Sequence, residues 1–257
     1  MRTGLVGCWK FDEGSGVTAE DTSDNGNHGL IVNATYSEDT PPQALSTFAL
    51  DFNNTQAGYA YSYVTIPDNS SLRPSSGLTL AAWVKTDTNE ERSCVIVSKQ
   101  YGSSYHNSFA LWCQYGALRF NLEDGIINPI ISTEQPPANE WHHVVATYNG
   151  SFLRLYVDGV ERVNSTFAGQ ILYDDNPVLI GADSDNANHI PDSGWNGIID
   201  EVLIYNRSLS QGEILQIIPE FPSVLTLLLF MPATIIAVIV YTRRQAGALR
   251  TTQLTNT

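Results

Sequence analysis

The sequence predicts an all-β domain, built as a two-sheet antiparallel sandwich and followed by one apolar C-terminal segment. About a dozen short runs rich in branched and aromatic residues alternate with turn-forming residues, and no long helical period interrupts them. Many short strands of this kind are typical of β-sandwiches. The strand-like runs span residues 5–11, 28–33, 48–52, 62–67, 77–85, 94–99, 109–113, 117–122, 141–166, 177–182 and 197–206.

Residues 141–166 give the clearest strand signal. Three strand-like segments are joined by Asn149-Gly150 and Asp158-Gly159, dipeptides that favour a type I′ hairpin turn because both residues tolerate positive φ. Residues 152–157 alternate between two sets of side chains, as expected for a sheet with one buried face. We therefore expect a three-stranded antiparallel meander.

The rest of the chain up to residue 218 is consistent with a single domain. Only residues 210–217 have a helical pattern, and that pattern is short. No internal repeat or low-complexity linker divides residues 1–218. A chain of 257 residues with 42% hydrophobic residues can bury one good-sized core.

The charge balance excludes one class of partner. Lys and Arg total 13 against 27 Asp and Glu, which gives a formal net charge of -14. Nucleic-acid phosphates would be repelled by such a surface. The acidity suits either a solvated extracellular surface or a set of cation sites.

Three cysteines, Cys8, Cys94 and Cys113, have neither metal-ligand spacing nor a disulfide framework. Cys94 and Cys113 lie on two runs that could form neighbouring arms of a hairpin. Two alternatives remain at this point: a cross-strand disulfide between them, or three small buried hydrophobic side chains.

The C-terminal segment predicts a membrane span. Residues 224–241 contain no charged side chain, and as a helix they would be about 27 Å long, enough to cross a bilayer. Arg243, Arg244 and Arg250 follow, which places the tail, residues 242–257, in the cytoplasm. We therefore expect a single-pass protein of the cell membrane, with a short linker at 219–223 and an extracellular β-domain.

Several motifs together resemble the LamG-like jelly-roll domains of the concanavalin A-like superfamily. In chain order they are GLVGCWKFDEGSG, DTSDNGNHGLIVNATY, GLTLAAWVKT, VSKQYG, EWHHVVATYNGSFLRLYVDGVE, LIGAD and GIIDEVLIYNRSLSQGEI. The resemblance covers residues 4–216. It implies a jelly roll of two curved antiparallel sheets, with the N-terminal and C-terminal segments paired. It implies no single activity, since members serve as carbohydrate-binding modules, adhesion domains and accessory domains of enzymes.

The C-terminal segment also resembles the archaeal PEF-CTERM type of sorting signal. The matching residues are Pro219, Glu220 and Phe221 before the apolar span and Arg243-Arg244 after it. The resemblance implies cleavage near the tripeptide and attachment to a surface lipid. The tail at residues 245–257 is longer than such signals have, which favours a retained anchor.

The first candidate site is a loop rich in oxygen-bearing side chains. Residues 21, 23 and 25 carry oxygen atoms and Gly26 allows a tight bend, which is what a hard cation needs. The LamG-like resemblance implies a structural calcium ion held by Asp21, Asn25, Asn27 and Asp200. The alternative is an Asx-rich turn satisfied by its own backbone.

The second candidate site is a later acidic loop, residues 183–188 with Asp192, which could hold another cation or line a ligand site. Asp183 and Asp185 precede Trp195, and Tyr101 and Tyr105 fall near another loop. Flat aromatic faces suit sugar rings, while carboxylates and amides bind sugar hydroxyls. A solvated polar loop is the alternative. The remaining tryptophans are expected to be packing residues: Trp9, Trp83, Trp112 and Trp141.

Catalytic signals are weak in this sequence. Glycoside hydrolases need two carboxylates that flank the sugar bond, and Asp200-Glu201 should place its side chains on opposite faces of a strand. His142-His143 should diverge for the same reason. Six N-x-S/T sequons are compatible with surface glycosylation; they begin at Asn33, Asn53, Asn69, Asn149, Asn164 and Asn206.

The sequence therefore predicts a membrane-anchored extracellular recognition or adhesion module with a structural calcium ion. Its expected partners are a glycan or a cell-surface protein, together with the membrane through the C-terminal helix. The alternatives are a glycoside hydrolase or polysaccharide lyase of the same superfamily, and a passive spacer of the cell envelope.

Overall fold

A computed structural model describes residues 2–55, 60–87, 92–102, 106–184 and 191–218. The chain divides into two units, 1–219 and 220–257, and the description covers the first. The predicted membrane span, the PEF tripeptide and the basic tail therefore lie outside the described residues. Among the helices within the described ranges, none has the length and apolar character needed to cross a bilayer.

The described residues form sixteen strands, one α-helix and one short 3₁₀ turn at Ser70–Leu72. The elements are β1 Leu5–Trp9, β2 Thr18–Ala19, β3 Gly29–Val32, β4 Thr35–Ser37, β5 Ala49–Asn53, β6 Tyr63–Ile66, β7 Leu78–Thr86, β8 Cys94–Gln100, β9 Asn107–Gln114, β10 Ala117–Leu122, β11 Ile130–Glu134, β12 His142–Tyr148, β13 Phe152–Val157, β14 Val160–Thr166, β15 Val178–Ile180, β16 Asn196–Tyr205 and α1 Gln211–Ile217.

Two antiparallel sheets contain all of these strands. Sheet A has the order β14-β13-β12-β7-β16-β5-β4, with β1 also paired to β16. Sheet B has the order β11-β10-β9-β8-β15-β6-β3-β2. The predicted all-β, two-sheet antiparallel sandwich is confirmed, and the first and last strands pair as the family resemblance implies.

The core lies between the sheets because alternate residues of each strand point inward. On β9, Phe109 and Leu111 are fully buried members of this core. On β7, Leu80, Ala82 and Val84 enter it in the same way. The other face of each sheet points away from the core and is called its outer face here.

Helix α1 covers part of the outer face of sheet A. Its Ile214 is fully buried against Val145 and Tyr156 of the sheet. The Ser210 side chain accepts a hydrogen bond from the Glu213 N–H, and the Glu213 side chain accepts one from the Ser210 N–H. This capping box fixes the start of the helix, at the place where the sequence predicts one.

The meander at residues 141–166 is confirmed as β12, β13 and β14, but its first turn differs from the prediction. Asp158 and Gly159 both have positive φ, 52° and 74°, as type I′ requires. In the first turn the Asn149 N–H donates to the Phe152 carbonyl, so Gly150 and Ser151 are the central residues. Gly150 has φ of 85° while Ser151 does not have positive φ, which matches type II′.

The last strand, β16, contains a β-bulge at Glu201. The register to β7 shifts between Asp200 and Leu203, and Glu201 has φ of 47°. Asp200 lies opposite Trp83, and Glu201 forms an ion pair of 3.0 Å with Lys10. Asp200-Glu201 therefore departs from the strict alternation expected from its sequence.

The cysteines are buried thiols with no disulfide between them. Cys94 and Cys113 lie directly opposite each other on β8 and β9, as the hairpin prediction requires. Burial raises the pKa of both thiols. Of the two alternatives left by the sequence, the structure has the buried hydrophobic thiols.

Candidate functional site

A groove of about 490 Å³ lies on the outer face of sheet B. Strands β8, β9 and β10 form its floor, because the residues that alternate with the core positions face outward there. The residues that line the groove are Arg92, Ser93, Val95, Asn107, Ala110, Trp112, Gln114, Asn121, Asn128, Ile130, Asp183, Asp192 and Ser193. This set is hereafter called the groove.

Trp112 is the aromatic residue of the groove. It lies on β9 between Val95 of β8 and Arg119 of β10, in direct cross-strand register with both. Trp112 is partly exposed, whereas its neighbours along the strand, Leu111 and Cys113, are buried in the core. Its indole can therefore offer a flat apolar surface to a ligand in the groove.

Ala110 deepens the groove beside Trp112. It lies two residues before Trp112 on the same face of β9, opposite Ser98 on β8 and Asn121 on β10. A methyl group at this position leaves room that a larger side chain would fill. The floor thus combines a broad aromatic surface with an adjacent recess.

Amide side chains line one wall of the groove. The Asn121 amide Nδ2 donates to Asn128 Oδ1 at 2.8 Å, which holds the two side chains together. Ile130, on β11, is 51% exposed and adds apolar surface beside them. Amides bind hydroxyl groups as both donors and acceptors, so this wall is suited to a polyhydroxylated ligand.

Two carboxylates form the opposite end of the groove. Asp183 and Asp192 pair across an antiparallel bridge through both backbone hydrogen bonds, at 2.9 and 2.7 Å. Asp183 is 4% exposed; its Oδ2 accepts from Asn107 Nδ2 at 2.7 Å and its Oδ1 from the Ser184 N–H at 2.8 Å. Burial raises the pKa of Asp183, and the charge of Asp192 raises it further.

Of the five residues predicted to bind a ligand, the structure describes three and places them apart. Asp183 lies in the groove. Tyr101 lines a different cavity of about 260 Å³, shared with His106 and Glu123. Trp195 is a core residue, 1% exposed, and offers no face to solvent. Asp185 and Tyr105 lie outside the described residues.

The Asp21 loop is organised by its own hydrogen bonds. Asp21 Oδ1 accepts from the N–H groups of Cys8 at 2.9 Å and Ser23 at 2.8 Å. Asp21 Oδ2 accepts from the Ser23 hydroxyl at 2.8 Å and the Asn27 N–H at 2.9 Å. Four donors therefore surround this carboxylate, in the manner of an Asx-stabilised turn.

Among the predicted calcium ligands, Asp21 and Asn27 are joined by the hydrogen bond from the Asn27 N–H, but the side chains of Asn25, Asn27 and Asp200 bind other partners. Asn25 donates from Nδ2 to the Leu5 carbonyl, and Asn27 donates from Nδ2 to the Val6 carbonyl at 2.7 Å. Asp200 instead accepts from the Glu201 N–H on β16. Within the described parts of the chain, no group of three or more His, Cys, Asp or Glu side chains could hold a metal ion. Calcium at this loop stays a prediction.

The adjacent histidines diverge, as expected for neighbouring strand residues. His143 is opposite Trp83 and is 1% exposed, and burial lowers its pKa to about 4. His142 Nδ1 lies 2.9 Å from Asp158 Oδ2. Neither histidine lines the groove, so neither could act on a ligand bound there.

Sequence reasoning assigned Trp112 to packing and gave no role to Asn107 and Asn121. Trp112 and Ala110 alternate with Phe109, Leu111 and Cys113, so the run is apolar on both faces of its strand. Polar Asn121 on the next strand, β10, is in register with Ala110. The polar side chain of Asn121 was the sequence signal that could have indicated which face of β9 lies outside the core.

Comparisons with known proteins identify the family. The laminin G type 3 family model, described as the concanavalin A-like lectin/glucanases superfamily, matches residues 57–215. No curated protein matches the chain. Solved structures that resemble it include the binding domain of Paraclostridial Mosquitocidal Protein 1, with a TM-score of 0.65 at 14% identity, over 84% of this chain and 52% of that one.

Two further solved structures belong to botulinum neurotoxins. The receptor binding domain of the C/D mosaic serotype has a TM-score of 0.63 at 13% identity, over 84% of this chain and 51% of that one. The serotype D ligand binding domain in complex with N-acetylneuraminic acid has a TM-score of 0.62 at 14% identity, with the same two coverages. This chain spans about half the length of these proteins, and at such identities the likeness concerns the fold. On its fold and its family match, the chain belongs to the concanavalin A-like lectin/glucanases superfamily.

Proposed function

We propose that this protein is a glycan-binding recognition module and that the groove on sheet B is its sugar site. The observation that carries the proposal is the partly exposed indole of Trp112 at the floor of a groove lined by amides and carboxylates. Sugar C–H groups pack on an aromatic face, and the amides and carboxylates at the walls bind the hydroxyls.

The structural relatives support a binding role. All those named above are binding domains, and one is bound to N-acetylneuraminic acid. Another similar structure, of botulinum neurotoxin type C, concerns interaction with two ganglioside molecules. A glycan is therefore the first ligand class to test, ahead of a protein partner on the cell surface.

Display at a membrane surface is part of the same proposal and rests on the sequence. The uncharged run at residues 224–241, followed by Arg243-Arg244, would tether the domain with its groove outside the cell. A structural calcium ion at the Asp21 loop is likewise proposed from the family resemblance.

A glycan array with the purified full-length chain tests the sugar site. Wild type should bind a defined set of glycans, and Trp112→Ala should weaken that binding at least about fivefold, since stacking on an aromatic ring contributes about 1 kcal/mol or more. Tyr61→Ala is the matched control, because Tyr61 is 53% exposed and lies outside the groove.

Equal losses for Trp112→Ala and Tyr61→Ala would place the sugar elsewhere. Wild-type protein that binds no glycan, while it retains a cooperative thermal transition, would contradict the glycan-binding function and favour a protein partner or a spacer.

A glycoside hydrolase is the second candidate, and the observation in its favour is that Asp183 and Asp192 face the same groove. Hydrolysis needs one protonated and one ionised carboxyl group. Burial raises the pKa of Asp183, which favours its protonated form. Release of new reducing ends from a bound glycan, lost in Asp183→Asn, would establish hydrolysis. Glycan binding without release of new reducing ends would favour the recognition module over the hydrolase.

A further inference from the structure

Arg119 lies beside the aromatic floor of the groove. It is directly opposite Trp112 of β9 and Ser132 of β11, so these three side chains form one row on the outer face of sheet B. Arg119 is not one of the lining residues and lies at the margin of the groove, on the β10 side of Trp112. A sugar ring that packs on Trp112 therefore has a guanidinium group as its neighbour.

Arg119 has no ion-pair partner within the described residues. The nearest acidic residue on its own face by strand register is Glu134, two positions beyond Ser132 on β11, and Glu134 lines a different cavity. Most other cations in the described ranges are paired with carboxylates, namely Arg2, Lys10, Arg73, Lys85, Lys99, Arg154 and Arg207. The positive charge of Arg119 is therefore available to an external anion.

The guanidinium group of Arg119 is shielded at its base and open at its tip. Its Nε is shielded from solvent and has no acceptor in the described part of the chain. The two terminal amino groups are not shielded in this way, and the residue is partly exposed. Neighbouring atoms thus restrict the side chain before a ligand arrives, which reduces the entropy lost on binding.

We propose that Arg119 is a specificity-determining residue, and that the groove selects glycans with an anionic group, a carboxylate or a sulfate, on the sugar ring that packs on Trp112. This selectivity rests on the proposed glycan-binding function and deepens it, because it names the class of glycan.

The shape of the guanidinium group favours an oxyanion over a hydroxyl group. Its terminal amino groups lie in one plane and can donate to two oxygen atoms of the same carboxylate or sulfate. These hydrogen bonds are charge-assisted and are about twice as strong as those between neutral groups. A neutral hydroxyl group at the same place offers a single oxygen atom without charge, so it should bind less tightly.

The acidic end of the groove orients such a ligand. Asp183 follows β15, and β8 and β9 lie between β15 and β10 in sheet B. Three strand spacings amount to about 14 Å, so Asp183 and Arg119 belong to opposite sides of the groove. The carboxylates of Asp183 and Asp192 repel an anionic group, whereas Arg119 attracts it. The anionic group of the ligand should therefore point towards β10.

The test is a glycan array with the purified full-length chain, on which each oligosaccharide is present in three forms. One form carries a sugar carboxylate, the second a sulfate in its place, and the third a neutral alcohol made by reduction of the carboxylate. Wild type should bind an anionic form at least about tenfold more tightly than the neutral form, as expected for hydrogen bonds to a charged group. The first two forms distinguish the two sources of the anion. This preference should weaken as the salt concentration is raised, since Arg119 is partly exposed.

Arg119→Gln should remove the preference for the anionic form and leave the affinity for the neutral form unchanged. Trp112→Ala should instead lower the affinity for both forms. Arg162→Gln is the matched control, because Arg162 also has no ion-pair partner in the described ranges but lies on β14 of sheet A. Arg119→Lys keeps the charge without the planar group and should retain only part of the preference; it serves if Arg119→Gln does not fold.

Equal binding of the anionic and neutral forms by wild type would overturn the role of Arg119 and leave the glycan-binding function intact. An anionic preference retained in full by Arg119→Gln would also overturn it, by placing the anionic group elsewhere. Equal losses in Arg119→Gln and Arg162→Gln would attribute the preference to net charge and overturn it as well. No binding of any of the three forms would reject the glycan-binding function, and the anion selectivity with it.

Discussion

Asp200 and His143 lie on either side of Trp83, in one row across three neighbouring strands of sheet A. Trp83 on β7 is directly opposite Asp200 of β16 and His143 of β12. The Trp83 and His143 ring centroids are 5.2 Å apart, and Asp200 and His143 are almost completely buried. One buried acid and one buried base therefore share the same apolar neighbour.

Burial shifts the two pKa values in opposite directions. It raises the pKa of Asp200 to about 7 and lowers the pKa of His143 to about 4. In both cases the low-polarity surroundings disfavour the charged form. Both groups consequently titrate between pH 4 and pH 7, but with opposite effects on stability.

The contribution of Asp200 to stability decreases as the pH rises, because its pKa is raised in the folded state. Below about pH 4 the group is protonated in both states, and its favourable contribution is complete. As the pH rises towards 7 the unfolded chain releases its proton first, so the free energy of unfolding falls. The difference between a pKa of about 7 in the folded state and the ordinary aspartate pKa of about 3.9 corresponds to roughly 4 kcal/mol.

Asp200→Asn should remove this loss of stability. The free energy of unfolding of the variant, relative to wild type, should increase between pH 4 and pH 7 by up to about 4 kcal/mol. Urea unfolding at constant ionic strength across this range measures it, with Asp175→Asn as the exposed control. Curves for Asp200→Asn and wild type that stay parallel over this range would mean that Asp200 is not buried in the folded protein.

The contribution of His143 to stability increases as the pH rises, because its pKa is lowered in the folded state. Its contribution is complete above the ordinary histidine pKa of 6.5 and is lost as the pH falls towards 4. His143→Phe keeps an aromatic ring against Trp83 and removes the titrating group. Relative to wild type, this variant should gain up to about 3 kcal/mol on going from pH 7 to pH 4. If the free energies of unfolding of His143→Phe and wild type differ by the same amount at pH 7 and pH 4, His143 is solvated.

The strands were predictable where a run of branched and aromatic residues stands between turn-forming residues. β7, β10 and the three strands of the meander coincide with predicted runs to within one residue at each end. β2 and β4 have only two and three residues, too few to show any alternation. β11 was also missed, since only one of its five residues, Ile131, is buried.

The groove was less predictable, since it depends on which strand face lies outside the core. Trp112 lies in a run with apolar residues on both faces, so alternation cannot assign it. Asp183 and Asp192 are separated by eight residues, and only chain reversal brings them opposite each other. The sequence placed both residues in one acidic loop, whereas their direct pairing could be found only from the fold.

The thiols of Cys94 and Cys113 should be protected in the native protein. Both side chains are 4% exposed, and burial raises their pKa values, so little reactive thiolate forms at pH 8. A chromogenic thiol reagent should react slowly with the folded chain and quickly with all three thiols in denaturant. One reactive thiol in denaturant, rising to three after reduction, would instead indicate a Cys94–Cys113 disulfide.

Ser210→Ala tests how far helix α1 stabilises the domain. The Ser210 side chain caps the helix, and Ile214 of this helix is buried on the outer face of sheet A. Loss of the cap should lower the free energy of unfolding by about 1 kcal/mol, because the helical N–H group at Glu213 loses its acceptor. Gln216→Ala, an exposed change within the same helix, should stay within about 0.5 kcal/mol of wild type. Denaturant unfolding of both variants measures the difference, and equal midpoints for Ser210→Ala and Gln216→Ala would show that α1 frays without cost to the sandwich.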